Sequence, residues 1–116
     1  MNYSKILRFA SRFEALAKGK LYYTGPSNIH EDGLMAADDI PAGTTIGLAV
    51  IPTHITHMGS HINHQTNCNA KLVEIAEETC SLVTLKDIAK DEEITANYQN
   101  TPWYIDSDTE GFVELG

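Results

Sequence analysis

Three stretches of this 116-residue chain carry side chains in patterns that can do chemistry. The run Ile62-Asn63-His64-Gln65-Thr66-Asn67-Cys68-Asn69-Ala70 is too polar for an ordinary strand. It reads as a loop built to offer several hydrogen bonds. In Leu85–Tyr98, the acids Asp91, Glu92 and Glu93 form a turn that leads through Ile94-Thr95-Ala96 into a strand ending on a phenol, a group that can orient a reacting partner by a hydrogen bond. Between Ser27 and Gly43, a strand beginning after Gly33 meets a Pro41-Ala42-Gly43 turn. A fourth pattern is His54, His57, His61 and His64 at spacings of three, four and three, with Cys68 four further on. On one helix these side chains would make a metal face. Pro52, the β-branched Ile55 and Thr56, and Gly59 oppose a helix there, so a His-rich metal-binding protein stands as a rival reading.

The elements that would hold these side chains are short. Ile6, Leu7, Phe9, Ala10, Phe13, Leu16 and Ala17 recur at helical spacing and predict an amphipathic helix that Gly19 stops. We take residues 1–20 as a helical leader, a structural element packed on its own domain or a dimer contact. After Lys20 the pattern is of short apolar runs: Leu21–Tyr23, Leu34–Ala37, Thr45–Ile51, Leu72–Ile75, Ser81–Leu85 and Glu93–Ala96. Turn signals at Gly25–Asn28, Pro41–Gly43 and Ala76–Thr79 separate them, which predicts a mainly β domain over residues 21–105 with little helix. Residues 106–116 form an acidic tail expected to be loosely held. No internal repeat is visible.

Length allows one domain with one modest core. No run approaches the roughly 20 apolar residues of a membrane helix, and the first residues do not read as a secretory signal. Two cysteines, Cys68 and Cys80, do not make a disulfide framework, so an intracellular, reducing setting is expected. The net charge is −8, yet five of the eight basic residues fall within the first twenty positions. The acidic remainder disfavours direct contact with nucleic acid and suits cationic peptides.

Taken in order, the three stretches resemble the SET family of lysine methyltransferases. That family has a Gly-x-Gly loop before a strand and an Asp-Ile-x-x-Gly turn, then an Asn-His-Ser-x-x-x-Asn segment, then a Gly-Glu-Glu-Leu-Thr strand ending in a tyrosine. The likeness runs from about Leu21 to Trp103 and is nearest in style to compact virus-encoded members. It implies a β-rich SET fold (α+β, with short strands in small sheets and a knot-like C-terminal crossing) and S-adenosylmethionine as cofactor. It also implies a basic protein substrate, histone-like if the host is eukaryotic, and allows a homodimer. By this resemblance Asn63, through its side chain, and His64, through its backbone, hold the cofactor. Gly33 is the second glycine of the loop beside the cofactor's methionine end, Trp103 packs on its adenine, and Tyr98 is the catalytic tyrosine.

The chemistry implied is methyl transfer to a lysine amine. A lysine ammonium, with a pKa of about 10.4, has no lone pair and must lose its proton before it attacks. A cationic sulfonium in a narrow channel favours that loss, and Tyr98 would orient the amine. Three residues depart from the pattern: Glu31 replaces the first glycine, Gln65 the serine and Asp91 the glycine of the acidic turn. Only about thirty residues separate Gly33 from Asn63, so the insert that walls the peptide groove is nearly absent. Glu31 and the short spacing support the other alternative, a SET-fold binding module with weak or no catalysis.

Overall fold

The structure is a computed structural model that describes residues 11–97. Residues 11–17 form a helix, α1. Its end is closed at Gly19, whose φ of +72° suits glycine, with Gly19 N donating to Leu16 O at 3.0 Å and Lys20 N to Ala15 O at 2.9 Å. This doubled bond satisfies carbonyls that a helix end leaves unpaired. The expected apolar face is only partly the one used. Ala15 packs on Tyr23, Met35 and Ala37, whereas Phe13 and Leu16 are 67% and 43% exposed. The reason is that α1 meets a sheet through a small residue, which permits close approach and turns the bulky neighbours outward. The first ten residues of the leader and the acidic tail lie outside the described residues.

Eight strands follow among the described residues: β1 (Tyr22–Pro26), β2 (Asp32–Ala36), β3 (Thr45–Ile51), β4 (His54–Ile55), β5 (Asn63–His64), β6 (Ala70–Ala76), β7 (Thr79–Thr84) and β8 (Glu93–Ala96). A single 3-10 turn, Gly59–His61, precedes β5. The strands form two sheets, ordered β1-β2-β8-β5 and β4-β3-β7-β6. The expected strands all occur, with β3 and β8 at the expected limits. The turn expected at Gly25 starts later, because β1 continues to Pro26 on a sheet edge, where the missing N–H costs no ladder bond. The two-residue strands β4 and β5 are too short to show a period in sequence.

An internal repeat, invisible as sequence, is plain in the register. The β1–β2 pairs Tyr22↔Ala36, Tyr23↔Met35, Thr24↔Leu34, Gly25↔Gly33 and Pro26↔Asp32 reappear at a constant offset in β6–β7. There they are Ala70↔Thr84, Lys71↔Val83, Leu72↔Leu82, Val73↔Ser81 and Glu74↔Cys80. Each hairpin takes its third strand from the other repeat: β3 follows β2 but pairs with β7, and β8 follows β7 but pairs with β2. The crossing loops clasp through Ile40 and Ile88, whose N–H and C=O groups exchange two bonds of 2.8 Å. Asp39 Oδ1 accepts from Lys90 N and Asp87 Oδ1 from Ala42 N, both at 2.9 Å. Few identities survive between the repeats, and they sit where the fold needs them. Leu34 and Leu82, Ile40 and Ile88, and Ile46 and Ile94 all lie in the one main core between the sheets. Each such side chain contributes roughly 1.5–3 kcal/mol by burial.

The repeat also accounts for a departure noted in the sequence. Asp91 (φ +69°) occupies the position that Gly43 (φ +79°) holds in the other crossing loop. Its left-handed backbone is offset by its side chain, which accepts the Tyr23 hydroxyl at 2.6 Å and lies 3.5 Å from Arg12 Nε. Glu31 (φ +44°) is compensated less, since its side chain is 75% exposed and its carboxylate lies 3.7 Å from His30 Nε2, on a half-exposed neighbour. Glu31→Gly is therefore expected to stabilise the fold by about 1 kcal/mol, seen as a rise of roughly 4 °C in Tm. Asp91→Gly should show no such gain. An unchanged or lowered Tm for Glu31→Gly would contradict this reading of the loop.

Candidate functional site

The residues singled out in sequence meet on the face of the first sheet opposite the main core. Side chains alternate along a strand, so Leu34, Ala36, Ile94 and Ala96 point to the core while Gly33, Glu93 and Thr95 point away from it. β8 is central: it pairs antiparallel with β2 (Met35↔Glu93) and parallel with β5 (Asn63↔Thr95, His64↔Ala96). This brings Gly33 and Asn63 to either side of Glu93. The Asn63 segment and the strand leading to Tyr98 thus lie side by side, as expected. Tyr98 and Trp103 themselves lie outside the described residues.

Asn63 is 1% exposed. Its Nδ2, with two protons to give, faces three acceptors: His30 O at 3.0 Å, Glu93 Oε2 at 2.9 Å and Ser27 Oγ at 3.1 Å. Its Oδ1 is buried and accepts no hydrogen bond among the described residues. A buried carbonyl oxygen without a donor costs on the order of 1–3 kcal/mol, so the fold holds in reserve an acceptor that suits a ligand N–H. Gly33 is required by the same cluster. A Cβ there would collide with the Glu93 carboxylate, coming 2.9 Å from Cδ and 3.1 Å from Ser27 Cβ. His64 is half-buried on β5. Gln65, in place of the family's serine, ties the segment to β8: Gln65 N donates to Ala96 O at 3.1 Å, and Thr95 Oγ1 donates to Gln65 Oε1 at 3.0 Å.

Several contributors were missed in sequence. Glu93 reads as one of a run of solvated acids, yet it is part of the cluster and accepts Ser27 Oγ at 2.7 Å. Its place in the alternation Glu93-Ile94-Thr95-Ala96 is the signal that sets it apart from exposed Glu92. Asn69 is a buried clamp: its Oδ1 accepts Thr95 N at 2.9 Å and its Nδ2 donates to Glu93 O at 2.8 Å. Glu31 turns its side chain to solvent, 3.7 Å from His30 Nε2, while the left-handed residue closes the loop by its carbonyl, which accepts Ser27 N at 2.9 Å.

The histidines do not form a metal face. His54 is on β4 and exposed, His57 and His61 are neighbours with ring centroids 4.6 Å apart, and His64 is on β5. Among the described residues no three His, Cys, Asp or Glu side chains come together as a metal site. The acids Glu74, Glu77 and Glu78 lie at the β6–β7 hairpin of the second sheet, away from the cluster's sheet.

This architecture is the SET fold, and the SET domain family model matches residues 49–99, a stretch that includes β5 and β8. A crystal structure of a candidate histone methyltransferase from Plasmodium falciparum is similar at a TM-score of 0.60 and 17% identity. The match covers 73% of this chain and 97% of that one, and at that identity it speaks for the fold. No curated protein matches the chain.

Proposed function

We propose that the chain is an S-adenosylmethionine-dependent protein-lysine methyltransferase. The observation that carries this reading is the buried Oδ1 of Asn63, without a partner among the described residues and held where β8 lies against the Asn-His segment. A fixed acceptor without a donor fits the ammonium of the cofactor's methionine end, and Gly33 keeps the adjoining strand free of a side chain that would displace Glu93. The cofactor supplies an electrophilic methyl group on a cationic sulfonium. Asn63 and Gly33 would hold its amino-acid end, His64 would contact it through its backbone, and Trp103 would pack on its adenine. Tyr98 would accept a hydrogen bond from an N–H of the lysine amine, leaving the lone pair free and aligned with the methyl carbon, catalysis mainly by positioning. No strong base is needed, since a cation beside the lysine already favours its neutral form.

The substrate class proposed is a basic protein segment, histone-like in a eukaryotic host, drawn by the acidic body; the setting is intracellular. A homodimer would supply the missing groove wall in trans. Calorimetry with S-adenosylmethionine and transfer of a labelled methyl group to lysine peptides test the reading. Binding in the micromolar range with label on lysine supports it. No binding at high micromolar cofactor overturns it, and binding without transfer favours a non-catalytic module instead.

A further inference from the structure

Which atom Asn63 presents to a ligand depends on its neighbours, because an amide rotated by half a turn has the same shape and the opposite polarity. Three N–H groups point at Ser27 Oγ: Ile29 N at 2.8 Å, His30 N at 3.3 Å and Asn63 Nδ2 at 3.1 Å. The serine's own proton therefore goes to Glu93 Oε1, at 2.7 Å. With its other oxygen, Glu93 accepts from Asn63 Nδ2 at 2.9 Å. A backbone carbonyl, His30 O, completes the set at 3.0 Å. Every group facing Nδ2 is an acceptor, so the amide has one allowed orientation, with Oδ1 left over.

We propose that Glu93 is a positioning residue that sets the polarity of Asn63 and so selects a ligand carrying a hydrogen-bond donor, an ammonium above all, at that point. This rests on the methyltransferase reading and adds to it a determinant of how the cofactor's amino-acid end is told from its nucleoside. Of the groups facing Nδ2, Glu93 is the one that can be reversed without changing shape. In Glu93→Gln the side-chain N–H₂ can face Asn63, where it favours the rotated amide and turns Nδ2 toward the ligand. An ammonium then meets a donor instead of an acceptor.

The test compares two probes by calorimetry, S-adenosylhomocysteine, which carries the ammonium, and 5′-methylthioadenosine, which lacks the amino-acid end. Glu93→Gln is expected to weaken S-adenosylhomocysteine on the order of tenfold to a hundredfold, the worth of one hydrogen bond to a charged group, and to leave methylthioadenosine within about twofold. Should that variant not fold, Ser27→Ala, which removes an acceptor from Nδ2 and the proton from Glu93, is expected to produce the same selective loss at several-fold. A parallel loss of both probes, or no loss of either, overturns the positioning role and leaves the methyltransferase reading in place. Wild-type protein that binds neither probe overturns both.

Discussion

Gly59→Ala is expected to destabilise the protein by about 3 kcal/mol, a fall of roughly 12 °C or more in Tm, because among the described glycines it is the one where an added Cβ would meet backbone head-on. Gly59 opens the 3-10 turn before β5 and sits directly on the backbone of β3. A Cβ there would collide with the carbonyl oxygen of Ala49, with Ala49 C at 2.9 Å and Ile55 Cγ2 at 3.0 Å. That carbonyl cannot retreat, since it already accepts Thr56 N at 3.0 Å and Thr56 Oγ1 at 3.1 Å. The turn must shift instead, and Ile62 and Asn63 follow it directly in the chain. Gly25→Ala is the control, because its Cβ would make only ordinary contacts, the nearest at 3.5 Å from Tyr23 Cε2. Equal melting temperatures for the two variants would defeat the argument.

Tyr98→Phe is expected to lower methyl transfer to a lysine peptide by at least roughly a hundredfold while changing cofactor affinity and Tm little. β8 ends two residues before Tyr98 in sequence, and its partner in parallel pairing is the Asn63 strand. The phenol's proposed task is alignment of the amine, which phenylalanine fills in shape but not in hydrogen bonding. A combined loss of cofactor binding and transfer would point to a packing role instead. Unchanged transfer would remove Tyr98 from the catalytic proposal.

The legible parts of the fold are those fixed by short-range chemistry. Gly19 and Gly43 adopt left-handed backbone where the sequence reading puts a helix stop and a turn. β3 and β8 fall where apolar and β-branched residues run between turn signals. The Asn63 segment and its order relative to the acidic turn were legible as a pattern too. What was not legible was the repeat, for a physical reason. Register and reciprocal backbone bonds carry it, and backbone groups accept almost any side chain, so only the buried Leu and Ile positions and the exposed, loop-clasping Asp39 and Asp87 needed to stay alike.

The site divides in the same way. Sequence by itself determined which residue types are available: an amide at 63, a glycine at 33, a carboxylate at 93, and a chain acidic beyond its leader. Tertiary structure alone decided that these meet on one face and that the amide of Asn63 buries its oxygen without a donor among the described residues. That outcome needs Ser27, His30 and Glu93 to converge from the β1–β2 loop and from β8. The strand exchange between the two repeats is what brings β8 to that place, and no local preference along the chain encodes it.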